Sequence, residues 1–356
     1  MSEEKTTTFT TKLATINDAY FPMITAQLEE NHIEFSEYAK RCTLNAIASI
    51  NNALDAQGIS WNDENLDKSD ITQTLLTVAS LQLNPTASPR EVYFQVRNVA
   101  VKSPDGKSTI WKKKIEMGIE GDGWDSLLSR FGRNVEKVYP YWLVRENDEF
   151  TYPTFSGLDM IPPTWKPKGI GKVVRIVYPI LHTDKTIHFY IAERSDVKKN
   201  LIAHISNNLM NETFGIITGQ KEDNKGKMVD RTRYDATAEE KSKIASKKKE
   251  LLNAAKALEL DAILDSEEFD KYISPAWKEE QSRESMIVRK MRNNVVKKIP
   301  KDFSNALAEE MYNQSSDENY KASKAEMLEA ENQPLIDADF EDVDKETGEI
   351  KPKPEF

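Results

Sequence analysis

Residues 92–119 limit the fold more than any other stretch of the chain. Val92, Phe94 and Val96 alternate with Tyr93, Gln95 and Arg97, and Ser103-Pro104-Asp105-Gly106-Lys107 separates them from a second β-like run at 110–119. Period-two alternation describes a strand with one face turned inward. In the intervening segment proline presets φ, aspartate can bond its own backbone, and glycine accepts positive φ. The pattern predicts an antiparallel β-hairpin. With helical periodicity on both sides of it, the chain falls in the α+β class: antiparallel hairpins and strands flanked by N-terminal and C-terminal helices.

Residues 22–54 read as one long helix, because Phe35, Tyr38, Cys42, Ala46, Ile50 and Leu54 recur at helical spacing. A second helix is expected to start at Ser69 as N-cap, to carry Ile71, Leu75, Val78 and Leu81, and to stop before Pro85. Residues 123–131 predict a short helix closed by Gly132, and residues 135–145 a strand. A proline-rich stretch (Pro153, Pro162, Pro163, Pro167) then crosses to a second hairpin, 173–181 and 186–193. Ser195 is read as the cap of a helix bearing Val197, Leu201, Ile205 and Leu209, and two further helices are expected at 254–264 and 286–303. The expected organisation is a flexible N-terminus at 1–20, one core at 21–311 interrupted by a charged mobile insertion at 219–250, and a disordered acidic tail at 312–356.

The net charge of −10 over 356 residues argues against a nucleic-acid partner on the whole-chain balance alone, but the charge is unevenly distributed. Residues 302–356 hold 16 acidic and 5 basic side chains, so the preceding 301 residues carry +1. Within them, residues 283–301 hold seven basic side chains against one acid, and residues 102–114 hold five against one. Local charge, not the whole-chain balance, is what meets a phosphate backbone.

On the late helix, Ile287, Val288, Met291, Val295 and Ile299 share the face that must pack inward. Arg283, Lys290 and Lys297 are seven apart and stack in line, with Arg289 and Asn293 beside them. A cation row on an anchored helix suits tracking of phosphates without reading bases. An ordinary solvated face is the competing reading, weakened by the near absence of acids from the helix itself. On the hairpin, Trp111 adjoins Lys112, Lys113 and Lys114, with Lys107 across the turn. Bases stack on aromatic faces while lysines contact phosphates; a lysine-protected edge strand fits the same residues. Alternation puts Lys112 and Lys114 on one face and Trp111 and Lys113 on the other.

Enzyme signatures are missing. Cys42 is the only cysteine, and His32, His182, His188 and His204 have no metal-ligand spacing. Gly169-Ile170-Gly171-Lys172 lacks the length and the following Ser or Thr of a nucleotide-binding loop. Asp122 and Asp125 form a carboxylate pair of the kind that holds Mg²⁺ for phosphodiester cleavage, although their position suits a helix N-terminus. No cofactor is expected. The first 11 residues lack an apolar export core and no apolar run approaches the roughly 20 residues of a membrane span, so a cytoplasmic location without membrane contact is expected.

These motifs resemble the RecT family of phage single-strand annealing proteins. LLTVASLQLNP (75–85) is similar to the family's helix ending in a Leu-Gly-Leu-x-Pro-like turn, and residues 91–96 resemble its next strand. GWDSLLSRFG (123–132) resembles the Gly-x-x-x-x-Leu-x-Arg-x-Gly helix and puts its basic residue at Arg130. LVRENDEF (143–150) is similar to the Val-Val-Arg-Glu-Gly-Asp-Glu-Phe segment, and residues 277–300 look like the late helix, with Arg289 and Lys290 as its basic pair. Gly121-Asp122 stands where family members often carry an aromatic-basic pair.

The resemblance covers roughly residues 70–300 and implies ATP-independent, non-enzymatic binding of single-stranded DNA in phage or prophage recombination. It implies annealing of complementary strands through a duplex intermediate, a homo-oligomeric ring or filament, and a partner phage exonuclease. Leu335, Ile336, Phe340 and Val343 interleave with acids in the tail. They suit docking of a host single-stranded-DNA-binding protein or competition with DNA; a purely solubilising tail is the alternative. The expected DNA-contacting set is Lys107, Trp111, Lys112, Lys114, Arg130, Arg283, Arg289, Lys290, Asn293 and Lys297. Two other functions compete: a sequence-tolerant single-strand binder without annealing activity, and a Mg²⁺-dependent nuclease.

Overall fold

Three helices open the fold of the computed structural model, which describes residues 12–102, 108–157, 159–222, 226–303 and 305–316. Helix α1 (Lys12–Glu30) buries Ile16, Tyr20, Ile24 and Leu28, one per turn, and begins well inside the stretch read as flexible. It continues through Pro22 despite the lost i→i−4 bond. The helix expected at 22–54 is therefore two helices. The chain reverses at His32, whose φ is 56°, and Ser36 starts α2 (Glu37–Asp55) by accepting from the Ala39 N–H at 3.2 Å. A capping serine in mid-pattern, which periodicity alone overlooks, separates the pair.

Helix α3 (Lys68–Leu81) is capped by Asp67, not Ser69, and ends at Gln82 in the left-handed region, three residues before Pro85. The predicted hairpin follows: β1 (Val92–Lys102) and β2 (Thr109–Ile119) pair antiparallel from Val92↔Ile119 to Lys102↔Thr109. Its turn, including Lys107, lies outside the described residues. Phe94, Val96, Ile115 and Met117 face inward at the foot of the hairpin, whereas residues 97–100 are exposed.

Helix α4 (Gly121–Phe131) packs Trp124, Leu127 and Leu128 inward. The strand expected at 135–145 is present but divided at Pro140 into β3 (Val135–Val138) and β4 (Trp142–Arg145). The proline-rich stretch does not simply cross over. It doubles back as an arm, with β5 (Glu149–Thr151), β6 (Thr154–Ser156), β7 (Asp159–Ile161) and β8 (Thr164–Lys166) paired β5 to β8 and β6 to β7. Pro153, Pro162 and Pro163 fall between the two paired lengths, where no ladder donor is needed. The second hairpin forms as expected: β9 (Val173–His182) pairs with β10 (Ile187–Glu193) on one side and with β3 and β4 on the other.

A 3₁₀ turn capped by Glu193 and Asp196, not by Ser195, leads into α5 (Lys198–Leu209). Within 219–250, where a mobile insertion is expected, the described residues include two strands and most of a helix. The strands β11 (Gln220–Glu222) and β12 (Met228–Asp230) pair, and α6 (Ala238–Ala257) starts from a reciprocal Thr237–Glu240 capping box. Local capping and the inward-facing Ile244 and Ala255 stabilise this helix despite its charge. Then come α7 (Leu260–Asp265), α8 (Pro275–Lys278), α9 (Glu280–Val296) and α10 (Ala306–Ser316). Helix α9 starts six residues before the expected 286 and ends at Val296, ahead of Pro300. The last helix crosses the expected tail boundary at 312; residues 317–356, with the apolar positions of the tail, lie outside the described residues.

The architecture is α+β with two hydrophobic cores. One gathers α1, α2, α3 and Ile115; the other gathers α4, β9, α5, α7 and α9. Phe94 and Met117, at the foot of the hairpin, pack against both.

Candidate nucleic-acid interface

The outer edge of β2 is held by the loop before α3: Lys113 N–H donates to Asn65 O at 2.8 Å and Asp67 N–H to Lys113 O at 2.9 Å. This pairing steers all three hairpin lysines toward one loop despite their alternation. The Lys112 ammonium donates to Glu64 O at 3.1 Å, Lys113 to Asp63 Oδ2 at 2.6 Å, and Lys114 lies 3.4 Å from Asp67 and 3.7 Å from Asp70. The Lys113 hydrogen bond holds the Asp63 carboxyl below its ordinary range. Trp111 lies beyond these ties and is 62% exposed, past the end of both cores.

On α9 the expected cation row divides. Arg283 is bound by Asp265 at 2.7 Å and Asp261 at 3.2 Å, and Arg289 by Glu120 at 3.0 Å. Lys290 is half-buried, and Asn293 has a buried Oδ1 with no hydrogen-bond partner. Lys297 is exposed and holds its ammonium 4.5 Å from the Trp124 ring centre, a cation–π contact. The acids that pair with Arg283 and Arg289 come from α7 and from Glu120, the residue before α4. Arg130, expected at the interface, is a half-buried tie: it donates to Gln82 O at 2.9 Å, Glu91 Oε1 at 3.1 Å and Tyr38 OH at 3.2 Å.

Arg292, absent from the expected set, is the most deeply held cation of α9. Its side chain is 10% exposed, it donates to Asp122 at 2.8 Å, Asp125 at 2.5 Å and Tyr178 OH at 3.3 Å, and it lies over the Tyr141 ring. Burial opposes its charge, but the Asp122 hydrogen bond and the Asp125 charge raise its pKa above the ordinary value. Burial raises that of Asp125. The carboxylate pair considered for Mg²⁺ is thus engaged by a guanidinium.

The two expected basic elements meet at their bases. Arg90, just before β1, reaches Glu120 at 2.9 Å, and Glu120 also holds Arg289 of α9. Around this contact lies an open cleft of about 400 Å³ lined by Arg90, Glu120, Ser285, Val288, Arg289 and Arg292. The Arg90 side chain is 56% exposed and that of Arg289 35%, so both guanidinium groups can be reached from solvent. Arg90 carried no sequence signal beyond a single charge before a strand. No helix among the described residues is long and apolar enough to cross a membrane. No protein-family model matches the chain, and no significant match was found among curated proteins or solved structures.

Proposed function

We propose that this chain binds single-stranded DNA and anneals complementary strands without ATP, with a homo-oligomer as the working form. The observation that carries the reading is the hairpin rising from the arginine-lined cleft with Trp111 exposed beyond both cores. Cations at the foot suit phosphates, and an exposed indole suits a base of any identity. Strand repulsion is the barrier such a surface relieves; stacking of about 1.4 kcal/mol per base-pair step then drives pairing. The partners that follow are single strands, their annealed duplex and an exonuclease that exposes them.

A fluorescence-quench assay with complementary oligonucleotides, without ATP and with or without Mg²⁺, tests the reading. Annealing faster than the spontaneous reaction is expected, with a loss in Trp111→Ala. Binding without acceleration would instead favour the plain single-strand binder. Mg²⁺-dependent shortening of the strands would favour a nuclease, the reading that the Arg292 clamp on Asp122 and Asp125 weighs against.

A further inference from the structure

A second cationic site draws its charges from residues 233–248 and shares no lining residue with the cleft above. The 3₁₀ turn Arg233–Asp235 positions Arg233, and α6 positions Lys241 and Lys248 two turns apart, with buried Ile244 between them anchoring the helix. These three cations line a cleft of about 210 Å³ together with Met210, Asn211 and Thr213.

Unlike the arginines of α9, these cations make no ion pair. Among the described residues, no carboxylate lies within ion-pair distance of Arg233, Lys241 or Lys248. Arg233 donates to the neutral Asn211 Oδ1 and to Tyr234 OH at 2.6 Å, and Lys248 donates to Met210 O at 2.8 Å. Glu212 also lines the cleft but is committed elsewhere: it pairs with Lys271 at 2.5 Å and accepts the Thr213 and Phe214 N–H groups. Burial and the neighbouring Arg233 charge push the Lys248 ammonium below its ordinary pKa, outweighing the opposing pull of the Glu212 carboxylate. Beside the cleft, Tyr234 is 77% exposed, and the Arg233 guanidinium lies 4.6 Å from its ring centre. Exposed Lys247 and Lys249 extend the positive surface along α6.

We propose that this cleft is a second single-strand contact, seating one phosphodiester among Arg233, Lys241 and Lys248 and stacking a neighbouring base on Tyr234. The chemistry is that of a charge-assisted phosphate seat beside an aromatic platform, indifferent to base identity. It rests on the reading of the chain as a strand-binding protein, to which it adds a contact on a different surface. For an annealing protein the consequence is a place for a strand other than the one on the hairpin.

The experiment is photocross-linking of the full chain to a bromodeoxyuridine-substituted oligonucleotide, with the attachment sites mapped by mass spectrometry. Cross-links at both Trp111 and Tyr234 are expected. Tyr234→Leu removes an exposed ring, so the fold is retained. It should delete its own cross-link, leave that at Trp111, and weaken single-strand binding by roughly 5- to 150-fold, the effect of one stacked base. Cross-links at Trp111 with none at Tyr234, and unchanged affinity in Tyr234→Leu, would overturn the second site while leaving the main reading intact. No binding or cross-link anywhere would overturn both. If inorganic phosphate shields Lys241 and Lys248 from acetylation but the oligonucleotide does not, the cleft is a free-anion site and the proposal fails.

Discussion

Replacing Arg292 with alanine should destabilise the fold by about 3–5 kcal/mol, the cost of removing one partner from a buried ion pair. Its two carboxylate partners do not contribute equally. The Asp122 side chain is 36% exposed and can rehydrate; Asp125 is 23% exposed and faces the buried Tyr178 hydroxyl at 2.8 Å. Most of the loss therefore comes from Asp125, left with a charge and no cation. The folded-state pKa of Asp125 already lies above the ordinary carboxylate value, because burial outweighs Arg292. Without Arg292 it rises further. A carboxyl with a raised folded pKa favours folding below its unfolded pKa, and that contribution is lost as pH rises through the folded value. The variant should therefore lose more stability at pH 8 than at pH 5. Urea unfolding followed by circular dichroism measures this as a lowered midpoint at constant slope. A loss under about 1 kcal/mol, or one equal at both pH values, would refute the assignment of Arg292 as a buried clamp.

Gly123→Ala should destabilise markedly although alanine favours helices, because a Cβ there overlaps the Glu91 carbonyl oxygen at the start of β1; a thermal melt at or above the wild-type midpoint would contradict this. Glu120→Gln removes the negative charge between Arg90 and Arg289, and should tighten single-strand binding and steepen its salt dependence; fluorescence anisotropy across a salt series reads both. Alanine at both Lys290 and Lys297 should flatten the log K against log salt slope by up to about 0.7 per lost contact, and an unchanged slope would place both side chains off the DNA path. Burial lowers Lys301 to about 8 while it donates to the Val296 and Ile299 carbonyls. A lysine depressed from 10.5 in this way penalises the fold by about 3 kcal/mol below pH 8, a penalty relieved as pH rises toward 10.5. Lys301→Met should lose that pH dependence in denaturation curves.

The β1–β2 hairpin was readable because alternation, turn chemistry and inward-facing residues all lie within 28 consecutive positions. The face of α9 was readable for the same reason, but the state of its cations was not. Glu120 is 169 residues from Arg289 and Asp122 is 170 from Arg292, and no local pattern pairs them. Those distances hide the ion pairs of Arg289 and Arg292 from the sequence, while Trp111 of the hairpin is exposed. The GWDSLLSRFG segment resolves similarly into structural duties. Gly123 permits close approach to β1, Leu128 fills the core, Arg130 joins α2, α3 and α4, and Gly132 avoids a clash with Leu128 O and Val135. The expected helix at 254–264 takes in only the end of α6; its first 16 residues are not legible because charged residues dominate them and the apolar face is narrow. The capping signature Thr237-Ala238-Glu239-Glu240 was the signal available.

The interruption at Pro140 bears on the free edges of the sheet. An unbroken strand along that side of β9 would present a continuous row of free donors and acceptors, a template for any extended chain. Tyr139-Pro140-Tyr141 divides it into two four-residue lengths and removes one donor, and a separate register shift falls between Val135 and Lys137 within β3. On the opposite side β10 runs seven residues without such a break. The sheet therefore ends in one divided flank and one undivided flank, the β10 margin.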